Sequence, residues 1–100
     1  MKRLPFPLSF AAARANNEAA GQFFFSPGAM RAFKSRLCGR MFGRYFVTSE
    51  KGPDNVRRYT VRRSNPSGDV SDVSDFQAYA SRAGAIAHAK RADKADKYTD

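Results

Sequence analysis

The chain has little with which to do covalent or metal chemistry. It carries one cysteine and one histidine among its 100 residues. Cys38 alone excludes an internal disulfide and suits a reducing compartment. With Gly39 it reads as a helix-to-strand connection, where a small packed thiol fits better than a nucleophile. Its only imidazole partner, His88, stands far away in sequence. No pair of Cys or His residues has the spacing of a zinc site. Phosphate-loop and dinucleotide fingerprints are absent, and Gly39, Gly43 and Gly52 are isolated glycines at element ends. The Asp69, Asp72 and Asp75 triplet lacks the loop glycine and closing glutamate of a calcium-binding loop. These absences lead us to expect no catalytic residue, no metal and no cofactor. No apolar run approaches the ~20 residues of a membrane span. Met1-Lys2-Arg3 followed by Leu4 to Ala13 has the outline of a secretory signal, but Pro5 and Pro7 would break its helical centre.

Acidic residues are the other scarcity. Nine stand against 18 Lys and Arg, a formal charge of +9. The imbalance is concentrated: from Arg31 to Arg63 there are ten basic residues and only Glu50 and Asp54 on the other side. Such a field attracts polyanions, nucleic acid before acidic proteins and acidic proteins before anionic membranes. Like charge that merely keeps a soluble protein dispersed is the plainer explanation.

Taken in order, residues 1–22 read as an N-terminal arm. Pro5 and Pro7 keep its start extended, and Ser9 caps a short helix over 10–20 that Gly21 closes. A piece this short is ordered only where it docks. Phe23-Phe24-Phe25 leads into a single domain over 23–96. Ser26-Pro27 starts a helix in which Met30, Phe33 and Leu37 recur at helical spacing. From Gly43 to Arg63 the chain reads as two strands joined by the turn Glu50 to Asn55. Alternation puts Tyr59 and Val61 on one face with Tyr45 and Val47, and Arg58, Thr60 and Arg62 on the other with Phe46. Asp69 to Asp75 reads as a solvated connection with room for a short strand near Val70 or Val73. Asp75 to Ala80 is the third strand, with Tyr79 beside Phe46. Ser81 caps the last helix, whose stripe is Ala83, Ile86 and Ala87, and residues 97–100 form a frayed tail. The expected fold is α+β, a small α-β-β-β-α domain whose three-stranded antiparallel sheet carries its helices on one face. Its other face is then open.

That open face is the candidate site. Guanidinium groups neutralise phosphate, and an aromatic ring gives an unstacked base a platform. Arg44, Phe46, Arg58, Arg62 and Tyr79 are its members, with Arg44 placed across from Arg62 in one register. Arg91 extends the basic end of the last helix. The expected partner is nucleic acid, RNA or single-stranded DNA, or else an acidic protein.

Two resemblances add to this. FFSPGAMRAFKSR, GRYFVTSE, RRYTVR and DFQAYASR with the alanine-rich helix after it resemble small uncharacterised proteins of tailed phages and mobile elements, over residues 24–92. The resemblance implies a phage accessory protein in the cytoplasm of the host cell and carries no activity with it. The order helix, three strands, helix, with Tyr45 and Ser49-Glu50-Lys51-Gly52-Pro53 before Arg58-Tyr59-Thr60-Val61, is similar to the double-stranded-RNA-binding domain. Here Asp54-Asn55 follows the Gly-Pro where that domain has histidine, and Arg82 alone opens the last helix. That second resemblance implies binding through Lys51, Arg82 and Lys90 rather than through the sheet face. A protein-interaction module, or an inhibitor docking on an acidic host or phage protein, is the alternative function.

Overall fold

The computed structural model describes residues 9–32 and 34–96. Its elements are helix α1 (Phe10–Ala19), helix α2 (Pro27–Ala32), strands β1 (Arg36–Phe42), β2 (Tyr45–Lys51), β3 (Arg57–Ser64) and β4 (Val70–Asp72), and helix α3 (Arg82–Ala95). The strands form one antiparallel sheet in the order β1-β2-β3-β4. The fold is α+β, but the sheet has four strands rather than the expected three. Two of them differ from the sequence expectation. The second helix stops at Ala32 instead of running to Leu37, so Cys38 and Gly39 lie inside β1 and not in a connection. At the other edge β4 is the short strand at Val70, while Asp75 to Ala80 contributes a single bridge, Tyr79 to Tyr59.

A two-residue turn explains β1. Phe42 pairs with Tyr45 across Gly43-Arg44, and Gly43 has φ +63°. Glycine first in a two-residue loop is the primed-turn pattern whose twist matches that of the flanking strands. A bulge follows between Cys38 and Phe42, with Gly39 at φ +70°. It breaks the even alternation by which a strand is recognised.

The β2–β3 register pairs Val47 with Val61, Phe46 with Arg62 and Ser49 with Tyr59. Arg44 therefore does not lie across from Arg62. The expected faces hold. Cys38, Phe42, Tyr45, Val47 and Val61 form one core with Ala85 and Ala89 of α3, and Tyr59, Tyr79, Ile86 and Ala92 pack against it. The docking stripe of α3 thus runs through Ala85, Ala89 and Ala92 with Ile86, not through Ala83 and Ala87, which are exposed. In a helix so rich in alanine, side-chain size does not distinguish one face from the next. The place of Phe33 in the stripe of the second helix lies outside the described residues, as do the readings of residues 1–8 and 97–100.

The opposite face is not open. Phe46 and Met41 are buried there with Ala13 of α1 and Phe25, and Phe10, Phe24 and Val70 pack around them. Helices therefore cover both faces, not one. Ser9 caps α1 by accepting from Ala12 N at 3.2 Å. Buried Asn17 fixes α1 in place: its amide donates to Gly68 O at 2.9 Å and its carbonyl accepts from Phe24 N at 2.9 Å. The short helix is ordered because it docks, which is the condition its length imposes.

Candidate functional site

Burial decides the fate of the expected sheet-face site. Phe46 is 0 % exposed, with the rings of Phe10, Phe24 and Phe25 at 5.8, 6.1 and 5.6 Å. It cannot stack a base while α1 is docked. Arg62 is buried beside it and belongs to a polar network: Nε donates to Thr48 Oγ1 at 2.8 Å, Nη1 to Asp72 Oδ1 at 2.5 Å and Nη2 to Glu50 Oε2 at 3.4 Å. Buried Glu50 also accepts from Thr60 Oγ1 at 2.9 Å and Ser35 Oγ at 3.3 Å. A charge this deep persists only with such partners. Arg44 is buried at the other end of the sheet, with Nε 3.7 Å from Asp96. Tyr45 donates to the same carboxylate at 2.6 Å, and burial, then the bond to Asp96, raises its phenol above the ordinary value. Arg58 is half exposed and paired with Asp54 at 2.8 Å, which holds that carboxyl below its usual range. Tyr79 lies on the α3 side, away from Phe46, with its hydroxyl 2.8 Å from His88 Nδ1. The five residues do not form one surface.

A different basic surface does form, along the free edge of β1 and the adjoining flank of α3. Arg36 and Arg40 project from β1 and are exposed. Arg82, Ile86 and Lys90 are four residues apart, so one side of α3 presents all three. That side lies against β1. The Arg82 guanidinium and Ile86 Cδ1 each stand 3.7 Å from where a Cβ on Gly39 would be. Further along, the Arg40 guanidinium lies 4.8 Å and the Lys90 ammonium 5.8 Å from the centre of the Phe42 ring. No described carboxylate lies within 4.0 Å of Arg36, Arg40, Arg82 or Lys90. Arg91 and Lys94 are exposed further along the same helix, whereas exposed Lys51 sits in the β2–β3 turn.

Arg82 and Lys90 were thus expected and come together, while Arg36 and Arg40 were missed. Sequence periodicity puts Arg36 on the second helix and Arg40 in the lead into the hairpin. The Gly43-Arg44 turn between Met41-Phe42 and Tyr45-Phe46 is the signal that would have extended the hairpin back to them.

The charge is polarised across the sheet. Glu50 is buried, and Asp69 and Asp72 lie at the β4 side, where Ser67 and Asn65 hold Asp69 below the usual carboxyl range. The β1 edge keeps an excess of cations.

A family model spans residues 9–90, from the cap of α1 to Lys90 on α3. The chain belongs to a family of unknown function, DUF7447. The match takes in both helical covers and all four strands of the sheet. Neither the curated proteins nor the solved structures compared with the chain gave a match. No helix among the described residues is long and apolar enough to cross a membrane.

Proposed function

We propose that this member of DUF7447 binds nucleic acid without sequence preference, as an accessory protein of phage origin with no catalytic step of its own. The observation that carries the reading is the convergence of Arg40, Arg82 and Lys90 from two elements onto one flank, with Arg36 exposed on the same strand and no described carboxylate to neutralise any of them. Long basic side chains on a sheet edge and a helix flank meet phosphates and release their counterions. They fix the position of a strand and read no base edge, hence the lack of sequence preference. Phe46 is covered and Tyr79 is engaged with His88, so charge rather than stacking drives the association.

The test is an oligonucleotide titration over a series of salt concentrations. Affinity should fall steeply as salt rises, and each of Arg40→Gln, Arg82→Gln and Lys90→Gln should reduce the log–log slope by roughly one unit if its cation meets a phosphate. Arg58→Gln, away from the ridge, should leave the slope nearly unchanged. Binding that is indifferent to salt would remove the reading.

A further inference from the structure

On the α1 side of the sheet the chain exposes two large rings, Phe23 at 69 % and Phe76 at 52 %. Both line one recess of about 440 Å³, whose wall continues through Phe24, Ala29 and Met30. Phe76 also borders a second hollow of about 230 Å³, with Lys34 and Lys51 on its rim. We propose that this face docks a segment of another protein carrying a large apolar side chain close to a carboxylate.

Three observations define that occupant. The larger recess is roomy enough to take a large side chain with its neighbours and has mainly apolar walls. Arg62 and Asn17, its buried polar residues, are already satisfied by Thr48, Asp72, Glu50, Gly68 and Phe24. The buried polar groups therefore leave no free partner for the polar edges of a nucleobase, whereas an aliphatic or aromatic side chain needs none. Exposed aromatic anchors beside such a recess are the residue types that dominate protein interfaces.

Charge then sets direction. Exposed Asp69 stands on the wall of the larger recess, while at the smaller hollow Lys34 and Lys51 are exposed with no described carboxylate in ion-pair reach and Glu50 is buried and paired with Arg62. A partner carboxylate is therefore drawn to the lysine end. Backbone strain gathers at that end as well. Lys34 has φ +52° and Gln77 φ +58°, a conformation that suits glycine better. Both are held firmly. The Lys34 carbonyl accepts from Arg57 Nη1 at 3.1 Å, and Gln77 donates from its backbone to Thr60 Oγ1 at 2.8 Å and from its side chain to Glu50 O at 3.0 Å. The lysine rim is thus fixed before any partner arrives.

A random peptide library displayed against the immobilised full chain tests this. Enriched peptides should share an aliphatic or aromatic residue within a few positions of Asp or Glu. One of them, synthesised and titrated, should lose about tenfold or more in affinity against Phe76→Ser. Lys51→Glu should weaken it less, and replacing the peptide's acid by lysine should restore binding to Lys51→Glu alone. Phe76 and Lys51 are exposed, and circular dichroism of each variant checks that it is folded. Failure to enrich any common pattern would overturn the proposal, as would peptides indifferent to Phe76→Ser. So would a dimer of the chain that Phe76→Ser dissociates, or oligonucleotide binding that Phe76→Ser abolishes. Because the β1 ridge is tested with different variants, the two readings fail separately.

Discussion

The two faces of the sheet are buried by different means. Toward α3 the strands present Cys38, Phe42, Tyr45, Val47 and Val61, and the helix answers with Ala85 and Ala89, small enough for close approach. Toward α1 the strands present Phe46 and Met41, then a polar strip of Thr48, Glu50, Thr60 and Arg62. The first face is mainly apolar and closes by shape. The second needs a cluster of phenylalanine rings over Phe46 and a set of mutually satisfied charges beside it. A strand of alternating apolar and polar residues therefore does not imply a solvated face, since polar residues go under cover when each finds its partner.

Removing a charge should break the second face hardest. Arg62→Leu leaves Glu50 buried without its cation, and unfolding in urea should show a loss of about 3–5 kcal/mol. A loss near zero would mean that Thr60 and Ser35 suffice for Glu50, and that the two faces are more alike than described. Gly68→Ala acts on the cover instead. A Cβ there would lie 2.4 Å from Asn16 O and 2.6 Å from the Ala20 side chain, at φ +98°. Overpacking of this kind costs about 1–3 kcal/mol. Hydrogen exchange should speed up in α1 while α3 stays protected. On the α3 face Tyr45→Phe removes the bond to Asp96 and should cost about 1 kcal/mol at neutral pH. Its phenol is raised above 10.0, so the stability it contributes is complete below that value and is lost as pH climbs through the higher folded one. The phenolate absorbance difference between wild type and Tyr45→Phe should appear above the ordinary tyrosine range. The smallest effect lies on the acid side. Asp54 and Asp69 are lowered below 3.8, so their contribution is present above that value and lost as pH falls through their folded values. Asp54→Asn should flatten the acid limb of a stability–pH curve slightly.

Much of this fold can be read from the residues. Ser9, Ser26 and Ser81 each cap as their sequence suggests, with bonds to Ala12 N, Ala29 N and Gly84 N. The alternation places Tyr59 and Val61 with Tyr45 and Val47, and Thr60 and Arg62 on the side of Phe46. What escapes is non-local or irregular. Alternation shows which residues share a face but not what lies over it, so Phe46 and Arg62 read as open. The bulge at Gly39 disrupts the rhythm of β1, which hides the strand and with it Arg36 and Arg40. Tyr79 makes only one bridge, too little for a strand, and its hydroxyl reaches His88 on a helix nine residues further on.

The Asn17–Gly68 bond also sets an order of events on the ribosome. Its two residues are 51 apart in the chain. Helix α1 leaves before the strands, so its seat at Phe46 and Gly68 has not yet been made, and a helix of ten residues barely holds in water on its own. Meanwhile the β1–β2 and β2–β3 hairpins close over short loops as they appear, the kind of contact that forms early. A segment made before the sheet is therefore among the last to settle. Until it does, Phe46 and the rings meant to cover it stand in solvent, a window of exposure in which crowded chains are prone to aggregate.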